Sequence, residues 1–313
     1  FVPEMIQERE FKRRYAEEAL AAGLTKTHVV RVYALETGGR GTYDMQAGID
    51  PDTKAGRPIS SALGYAQLLH ANSVNEVVKF GDYFVQRLTA LAGAPGTSAA
   101  RAAQLGHKIA ALRRMIAAAR TVPNEWGAHV RFAGTPQGLG IHALNLDGDI
   151  GPWLQIIKLR GLILDAQKAG RMQLTGAELE LMNLAGPRTG LEMMEPVGAT
   201  MPSSTFFSRG GYYRNPIVHD RTGRELLQKL DERMDVQVRK AGSVEFAALF
   251  DAVMQQRRAS GAPAWPQPPG PVYGAAKAAT VPAAAGAPPP QPPRRPRGEP
   301  LMPSTGIPDQ YFQ

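Results

Sequence analysis

Residues 28–39 read HVVRVYALETGG, an apolar stretch with helical spacing that ends in a carboxylate and two glycines. Because residues three, four and seven positions apart lie on one face of a helix, Val29, Val32, Tyr33 and Glu36 share a face. That face is apolar everywhere except at Glu36. The glycines end the helix and allow the chain to turn sharply. The stretch therefore predicts a helix that carries a carboxylate on the last turn of its apolar face.

A carboxylate in this position loses part of its hydration. Burial penalises the charged form, so we expect the pKa of Glu36 to be raised. A carboxylic acid that stays protonated near neutral pH can act as a general acid towards a leaving oxygen. The alternative is an ordinary glutamate at a frayed helix end, exposed to water. Helical periodicity alone leaves both interpretations open.

The chain on either side of this stretch is also helical in character. Helices are predicted from periodicity for residues 4–22, 98–120, 153–169, 175–184, 224–240 and 244–257. The segment GTYDMQAGIDPDTKAGRPIS, residues 41–60, is rich in Gly, Asp and Pro and is typical of a small β-hairpin or a loop. These patterns predict a mostly α fold with one small irregular or β patch.

The composition excludes several kinds of site. There is no cysteine, so disulfides, thiolate catalysis and cysteine metal sites are ruled out. The net charge of +8 favours anionic neighbours, but it is spread along the chain, as it would also be in a basic protein without a nucleic-acid partner. No apolar run approaches the roughly 18 residues that a membrane span needs. We expect neither a membrane span nor a nucleic-acid partner.

The two ends of the chain differ from its body. The chain begins at Phe1, without Met and without a basic-then-apolar signal pattern, so we expect a processed form from which any signal sequence is already missing. At the other end, 15 of the 26 prolines follow Gly261. Proline removes a backbone donor and fixes φ, so residues 259–313 are predicted to be an extended or disordered tail. Such a tail is a possible docking segment for an envelope protein.

Three fragments, taken in order, resemble the lytic transglycosylases of the SLT type in the lysozyme-like superfamily. The first is the ETGG that ends the helix at Glu36, and the second is SALGYAQLL, residues 61–69. The third is LMNLAGPRTGLEMM, residues 181–194, which is similar to the family's AYNAGP-like segment. Met182 stands where the family usually carries a Tyr, and both intervals between the fragments are longer than in compact members. An inserted hairpin and the predicted helix over residues 98–120 would account for the longer intervals.

Residues 1–24 are expected to form an N-terminal helix on their own periodicity. For the rest of the body, the resemblance implies a fold and an activity: residues 25–258 would form a lysozyme-like catalytic domain with an inserted helix near residues 98–120. Family members cleave the β-1,4 bond between MurNAc and GlcNAc in peptidoglycan and leave 1,6-anhydro-MurNAc ends. The expected partner is therefore the peptidoglycan glycan strand, in the periplasm or cell envelope. The alternative is a non-catalytic, lysozyme-like protein that binds peptidoglycan or serves as an envelope-assembly scaffold.

The same resemblance implies which residues form the site. Glu36 would be the single general acid and base, with no cofactor and no metal. The residues expected to bind substrate are Ser61, Gly64, Tyr65, Gln67 and Asn183. Tyr65 would stack on a sugar ring and Gln67 would donate amide hydrogen bonds, although a core position for Tyr65 stays open.

Asp44 is a candidate second carboxylate, because it follows the glycines where two-carboxylate lysozymes keep their second acid. A functional Asp44 would favour a muramidase that hydrolyses the same bond. The alternative is a turn residue, since YDMQAG is turn-like in composition.

Asp147 and Asp149 could in principle bind a metal ion. We expect them instead to form a capping turn before the helix that starts near Trp153. No nucleotide-binding glycine motif is present. The segment FFSRGGYYRN, residues 206–215, mixes aromatic and basic side chains, which suits bases, sugars or a packed loop.

Overall fold

The computed structural model describes residues 1–50 and 52–261. Within these ranges the chain forms twelve α-helices and no strand, so the predicted mostly α fold is confirmed. The first six helices are α1 (Glu8–Ala21), α2 (Lys26–Thr37), α3 (His70–Ala92), α4 (Ala99–Ala119), α5 (Trp126–Ala133) and α6 (Pro136–His142). The predicted Pro-rich tail lies outside the described residues from residue 262 onward.

The remaining helices include the four others that periodicity predicted. They are α7 (Ile150–Lys168), α8 (Gly176–Ala185), α9 (Pro187–Met194), α10 (Arg209–Arg214), α11 (Gly223–Gln237) and α12 (Ala241–Ser260). The predicted helix over residues 98–120 is α4, and its N-cap Ser98 accepts a hydrogen bond from the Arg101 backbone N–H. None of the helices in the described ranges is long and apolar enough to cross a membrane.

Helix α1 belongs to the same core as the helices that follow it. Phe11 and Tyr15 are buried, both rings contact Tyr65 edge-on, and Tyr15 also contacts Phe246 edge-on. Helix α1 packs mainly against α12 and α7. The N-terminal helix is therefore part of the packed body of the protein.

Helix α7 passes through the centre of the molecule. Ile150, Leu154, Ile156 and Leu159 are fully buried, and the helix has apolar contacts on nearly all sides. A helix surrounded in this way carries a charged side chain only where that side chain finds partners. Lys158 is such a residue, and its partners form the site described below.

The longest helix, α3, was not predicted from the sequence. It forms an antiparallel pair with α4, and Gly81 of α3 lies against the Ile116 side chain. The apolar face of α3 is continuous with the core through Val74, Val77 and Phe84. Helix α3 in turn packs against α7.

The loop between α2 and α3 is held by isolated bridges, not by a hairpin. In residues 38–50 and 52–69 the only pairings are Ile49 with Gly56 and Leu63 with Leu68. Gly39 at the start of the loop has φ +70°, and a Cβ there would lie 2.8 Å from the Lys240 Cβ. The second glycine is therefore needed because the connection between α11 and α12 approaches the backbone closely.

Candidate functional site

Glu36 lies at the buried end of α2. The helix ends at Gly38, which adopts the left-handed conformation with φ 65°. The Glu36 side chain is in the core at 1% exposure, so it is not at a frayed, solvated helix end. Of the two interpretations that the local pattern left open, the structure shows the buried one.

The partners of Glu36 come from α8. The capping box of Thr175 and Glu178 starts this helix, and it presents Glu180 and Asn183 three residues apart on the face that packs against α2. The Asn183 amide nitrogen donates to Glu36 Oε1 at 3.1 Å. The same nitrogen lies 3.3 Å from Glu180 Oε2. One amide therefore holds two carboxyl groups side by side.

The two carboxyl groups share the Asn183 amide, and each residue is 1% exposed. Burial is the main influence on Glu180 and raises its pKa to about 7, while the neighbouring Glu36, the Lys158 charge and the Asn183 hydrogen bond act in the opposite direction. Glu180 is therefore partly protonated near neutral pH.

Lys158 supplies the positive charge near this pair. Its ammonium group donates to Asn183 Oδ1, so Asn183 connects the cation with both carboxyl groups. Burial lowers the pKa of Lys158, whereas the charges of Glu76, Glu180 and Glu36 raise it. Burial likewise raises the pKa of Glu76, which is 6% exposed. Three buried carboxyl groups thus surround one lysine.

A cavity of about 300 Å³ adjoins this cluster. Its volume is at the lower end of the range for small-molecule sites, roughly 300–1,000 Å³. Its lining includes the polar side chains of Asn183 and Lys158 together with Met182, Trp126, Phe206 and Phe207. Glu36 is not among the lining residues, whereas Asn183, which donates to its carboxyl group, is one of them. The Asn183 side chain therefore lies between the cavity and the Glu36 carboxyl group.

Four of the predicted substrate-binding residues lie in the loop before α3 and hold that loop in place. Tyr65 is fully buried, and its hydroxyl donates to Glu8. Gln67 is 1% exposed, and its amide nitrogen donates to the backbone carbonyls of Met45 and Gly64. The core position that was left open for Tyr65 is therefore the one observed, and sugar stacking by Tyr65 is excluded in this structure.

Gly64 and Ser61 also have structural contacts. Gly64 has φ +81° and lies so close to the Gln155 side chain that a Cβ would collide with it. The Ser61 hydroxyl accepts the His70 backbone N–H, and the Ser61 carbonyl lies 2.7 Å from His142 Nε2. Among the predicted substrate-binding residues, only Asn183 lines the cavity.

The partners of Asp44 lie in the loop between α2 and α3, to which Asp44 itself belongs. It accepts a hydrogen bond from Thr42 and forms an ion pair with Lys54 at 3.0 Å. Partial burial raises its pKa, but these two contacts outweigh that effect and the net change is a lowered pKa. The carboxyl group that contacts Glu36 is that of Glu180, so the structure does not support Asp44 as its second carboxylate.

Asp147 and Asp149 form the predicted capping turn. Asp147 Oδ1 accepts the backbone N–H groups of Asp149 and Ile150 at 3.1 Å each. Lys108 forms ion pairs with both aspartates, at 2.9 and 2.5 Å. Across the part of the chain that the structure describes, no group of three or more His, Asp or Glu side chains is arranged to hold a metal ion.

Sequence reasoning missed Glu180 and Lys158. Both carry the signal that identified Glu36, namely a charged residue in a helix whose other positions are largely apolar: GAELELMNLA for α8 and IGPWLQIIKLRGLILDAQK for α7. Searching every apolar helix face for charges would have found them.

Comparison of the chain with protein-family models, with curated proteins and with solved structures gave no match in any of the three.

Proposed function

We propose that the protein is a peptidoglycan lytic transglycosylase in which Glu36 is the single general acid and base. The observation that carries this proposal is the hydrogen bond between Asn183 and Glu36 at 3.1 Å. These residues come from the first and third fragments of the family resemblance and are 147 positions apart. The first and third fragments were identified from sequence resemblance alone. In the structure they are in contact at a buried carboxyl group beside a cavity.

The reaction needs one proton donor that later becomes an acceptor. Protonated Glu36 gives its proton to the glycosidic oxygen as the bond from that oxygen to C1 of MurNAc breaks. The 6-hydroxyl oxygen of the same sugar then bonds to C1, and its proton passes to the Glu36 carboxylate. The products are a shortened strand and a 1,6-anhydro-MurNAc end, and Glu36 is protonated again.

The surroundings of Glu36 suit the first step. Its carboxyl group is buried beside that of Glu180, and Asn183 separates it from a cavity whose lining includes aromatic side chains. Aromatic side chains such as Trp126 and Phe207 suit the apolar faces of sugar rings. The glycan strand is the proposed partner, which places the protein in the periplasm or cell envelope.

The test is mass spectrometry of soluble products after incubation with purified peptidoglycan sacculi. Anhydro-muropeptides are expected from the wild-type protein. Glu36→Gln removes the transferable proton at nearly constant volume and is expected to lower the rate by about 10²-fold or more. Arg188→Gln, which changes a 92% exposed side chain, is the matched control and should leave the rate unchanged. Full activity in Glu36→Gln would overturn the role of Glu36.

The second candidate is a non-catalytic protein that binds peptidoglycan or serves as a scaffold. It is favoured by the position of Glu36 behind Asn183, because substrate atoms in the cavity do not meet the carboxyl group directly. Co-sedimentation with sacculi without soluble products would support this candidate. Products one water heavier than the anhydro-muropeptides would instead indicate a muramidase.

A further inference from the structure

The aromatic and basic segment FFSRGGYYRN, residues 206–215, lies along a second depression next to the cavity. This depression, which we call the outer pocket, has a volume of about 510 Å³. Its lining includes Phe207, Arg209, Tyr212, Tyr213, His219 and Asp220. Phe207 lines the cavity as well, so the two spaces are neighbours that share a side chain.

The short helix α10 explains how this segment serves both spaces. Its N-cap Ser208 accepts the Gly211 backbone N–H at 3.1 Å, which starts the helix. Residues 209, 212 and 213 are three and four positions apart and therefore share one face, and all three line the outer pocket. Ser208 and Gly211 line the cavity. One helix thus contributes residues to the linings of both spaces.

The outer pocket contains an exposed aromatic ring on an aromatic support. Tyr213 is 66% exposed, and its ring stands nearly perpendicular to that of Tyr212 with the centroids 5.5 Å apart. The Tyr212 ring in turn stacks on His219 at 4.8 Å. His219 Nε2 donates to the Tyr212 backbone carbonyl at 2.7 Å, which fixes the stacked pair. Tyr213 is therefore a supported ring with much of its surface free for a ligand.

The polar groups of the outer pocket have opposite charges. Arg209 is exposed, and within the part of the chain that the structure describes its guanidinium has no hydrogen bond or ion pair. Asp220 is also exposed and has φ 51°, an uncommon left-handed conformation for a residue with a side chain. Its backbone N–H donates to the Tyr212 hydroxyl at 2.8 Å, which helps to hold that conformation. The pocket therefore presents one fixed acceptor and one available donor group beside the rings.

This combination suits a sugar better than a polyanion. A pyranose has an apolar face of C–H groups, which packs on aromatic rings, and a rim of hydroxyl and acetamido groups that both donate and accept. A guanidinium only donates and a carboxylate only accepts, so Arg209 and Asp220 together match such a rim. A nucleic-acid strand would gain from Arg209 but would be repelled by Asp220.

We propose that the outer pocket binds a pyranose residue of a glycan strand that also occupies the cavity. The sugar stacks on Tyr213, and its polar rim is hydrogen-bonded by Arg209 and Asp220. That the strand is peptidoglycan rests on the proposed function, whereas the affinity of the outer pocket for a sugar does not.

The test is isothermal titration calorimetry of the full chain with a soluble oligomer of β-1,4-linked GlcNAc. Tyr213→Ala should weaken binding about fivefold to tenfold, because the stacking surface is lost, whereas Tyr213→Phe should stay within about twofold of wild type. Arg209→Gln should weaken binding about threefold to tenfold, because a charge-assisted hydrogen bond is lost.

Two control substitutions match these changes outside both spaces. Met172→Ala truncates a 69% exposed apolar side chain, and Arg224→Gln removes an exposed guanidinium from α11. Neither residue lines the cavity or the outer pocket, so both variants should bind the oligomer as wild type does.

Cleavage of sacculi gives a second readout. At subsaturating sacculi, Tyr213→Ala should slow the release of anhydro products by about the same factor, because a distant sugar contact contributes equally to substrate and transition-state binding. If the oligomer binds and Tyr213→Ala weakens it while wild type releases no products, the sugar site is supported and the proposed function fails. If products form but Tyr213→Ala and Arg209→Gln change neither affinity nor rate, the proposed function stands and the outer pocket is not a sugar site.

A single-stranded DNA oligonucleotide is the competing probe. The inference would be overturned if this oligonucleotide bound, lost affinity in Tyr213→Ala and Arg209→Gln, and the GlcNAc oligomer did not bind. Absence of binding by both probes to the wild-type protein would overturn it as well.

Discussion

Lys158→Met is the substitution that tests the charge balance of the site most directly. Methionine keeps the length and much of the apolar contact of the lysine stem, but it removes the ammonium group. Glu36, Glu180 and Glu76 would then be left around a neutral side chain, and Asn183 Oδ1 would lose its donor.

The size of the effect should depend on pH. The folded-state pKa of Glu180 is about 7, above the unfolded value of 4.5, so folding favours the protonated form. The cost of ionising Glu180 therefore grows as the pH rises from 4.5 through 7. Without Lys158 this cost increases, because the compensating charge is gone. At pH 8, where Glu180 is mostly ionised, we expect Lys158→Met to lower the free energy of unfolding by about 3–5 kcal/mol.

At pH 5 Glu180 is mostly protonated, and the expected loss is smaller. What remains is mainly the hydrogen bond to Asn183, and leaving that buried acceptor without its donor costs about 1–3 kcal/mol. The difference between the two pH values, about 2 kcal/mol, is the electrostatic contribution that the structure predicts.

The assay is urea unfolding of wild type and variant at pH 5 and pH 8, followed by circular dichroism. Lys168→Met, on the same helix, is the matched control. Its side chain is 73% exposed and pairs with Asp165 at 3.3 Å. The control should change stability by less than about 1 kcal/mol at either pH. An equal loss at pH 5 and pH 8 in Lys158→Met would refute the reasoning, because it would show that packing and not charge sets the cost.

Two further predictions concern residues outside the site, Gly39 and His142. Gly39→Ala should lower the free energy of unfolding by about 2 kcal/mol or more, because the new Cβ would lie 2.8 Å from the Lys240 Cβ at φ +70°. Gly96→Ala, with φ +87° and open space around it, should cost only about 1–2 kcal/mol in the same denaturation assay, and similar losses in both would contradict the close approach. His142 has its pKa lowered to about 4 by burial, so the folded state disfavours its protonation and stability is lost as the pH falls from 6.5 to about 4. The free energy of unfolding would be measured against pH for wild type and His142→Gln. Between pH 6.5 and 4 the wild type should lose up to about 3 kcal/mol more than the variant, and parallel curves for the two proteins would contradict this prediction.

Local patterns predicted much of this protein. The helices that start near Ser98 and Thr175 were predicted where the structure has them, because these side chains accept hydrogen bonds from backbone N–H groups only a few positions away. The apolar spacing of α2 likewise placed Glu36 on the last turn of its helix, although it left open whether the side chain is buried. These are interactions within one or two helical turns, so the order of residues along the chain is enough to infer them.

The predictions about which side chains face the cavity were less accurate. Tyr65 and Gln67 matched a family fragment, but the loop before α3 turns their side chains inward, where they bond with Glu8, Met45 and Gly64. The orientation of a loop depends on everything that packs against it, and no short-range pattern encodes that. Helix α3 was not predicted, although Val74, Val77, Phe84 and Leu88 recur at helical spacing along residues 70–92.

The sequence by itself determined the helical class, the place of Glu36 on the last turn of the apolar face of α2 and the capping turn at Asp147, because each depends on neighbours close along the chain. Only the tertiary structure decided that Glu180 and not Asp44 lies beside Glu36, and that Lys158 is the nearby cation. These groups are brought together because α2 packs against α8 and α8 packs against α7, and α2 lies far from both along the chain. The same packing buries the carboxyl groups of Glu36 and Glu180.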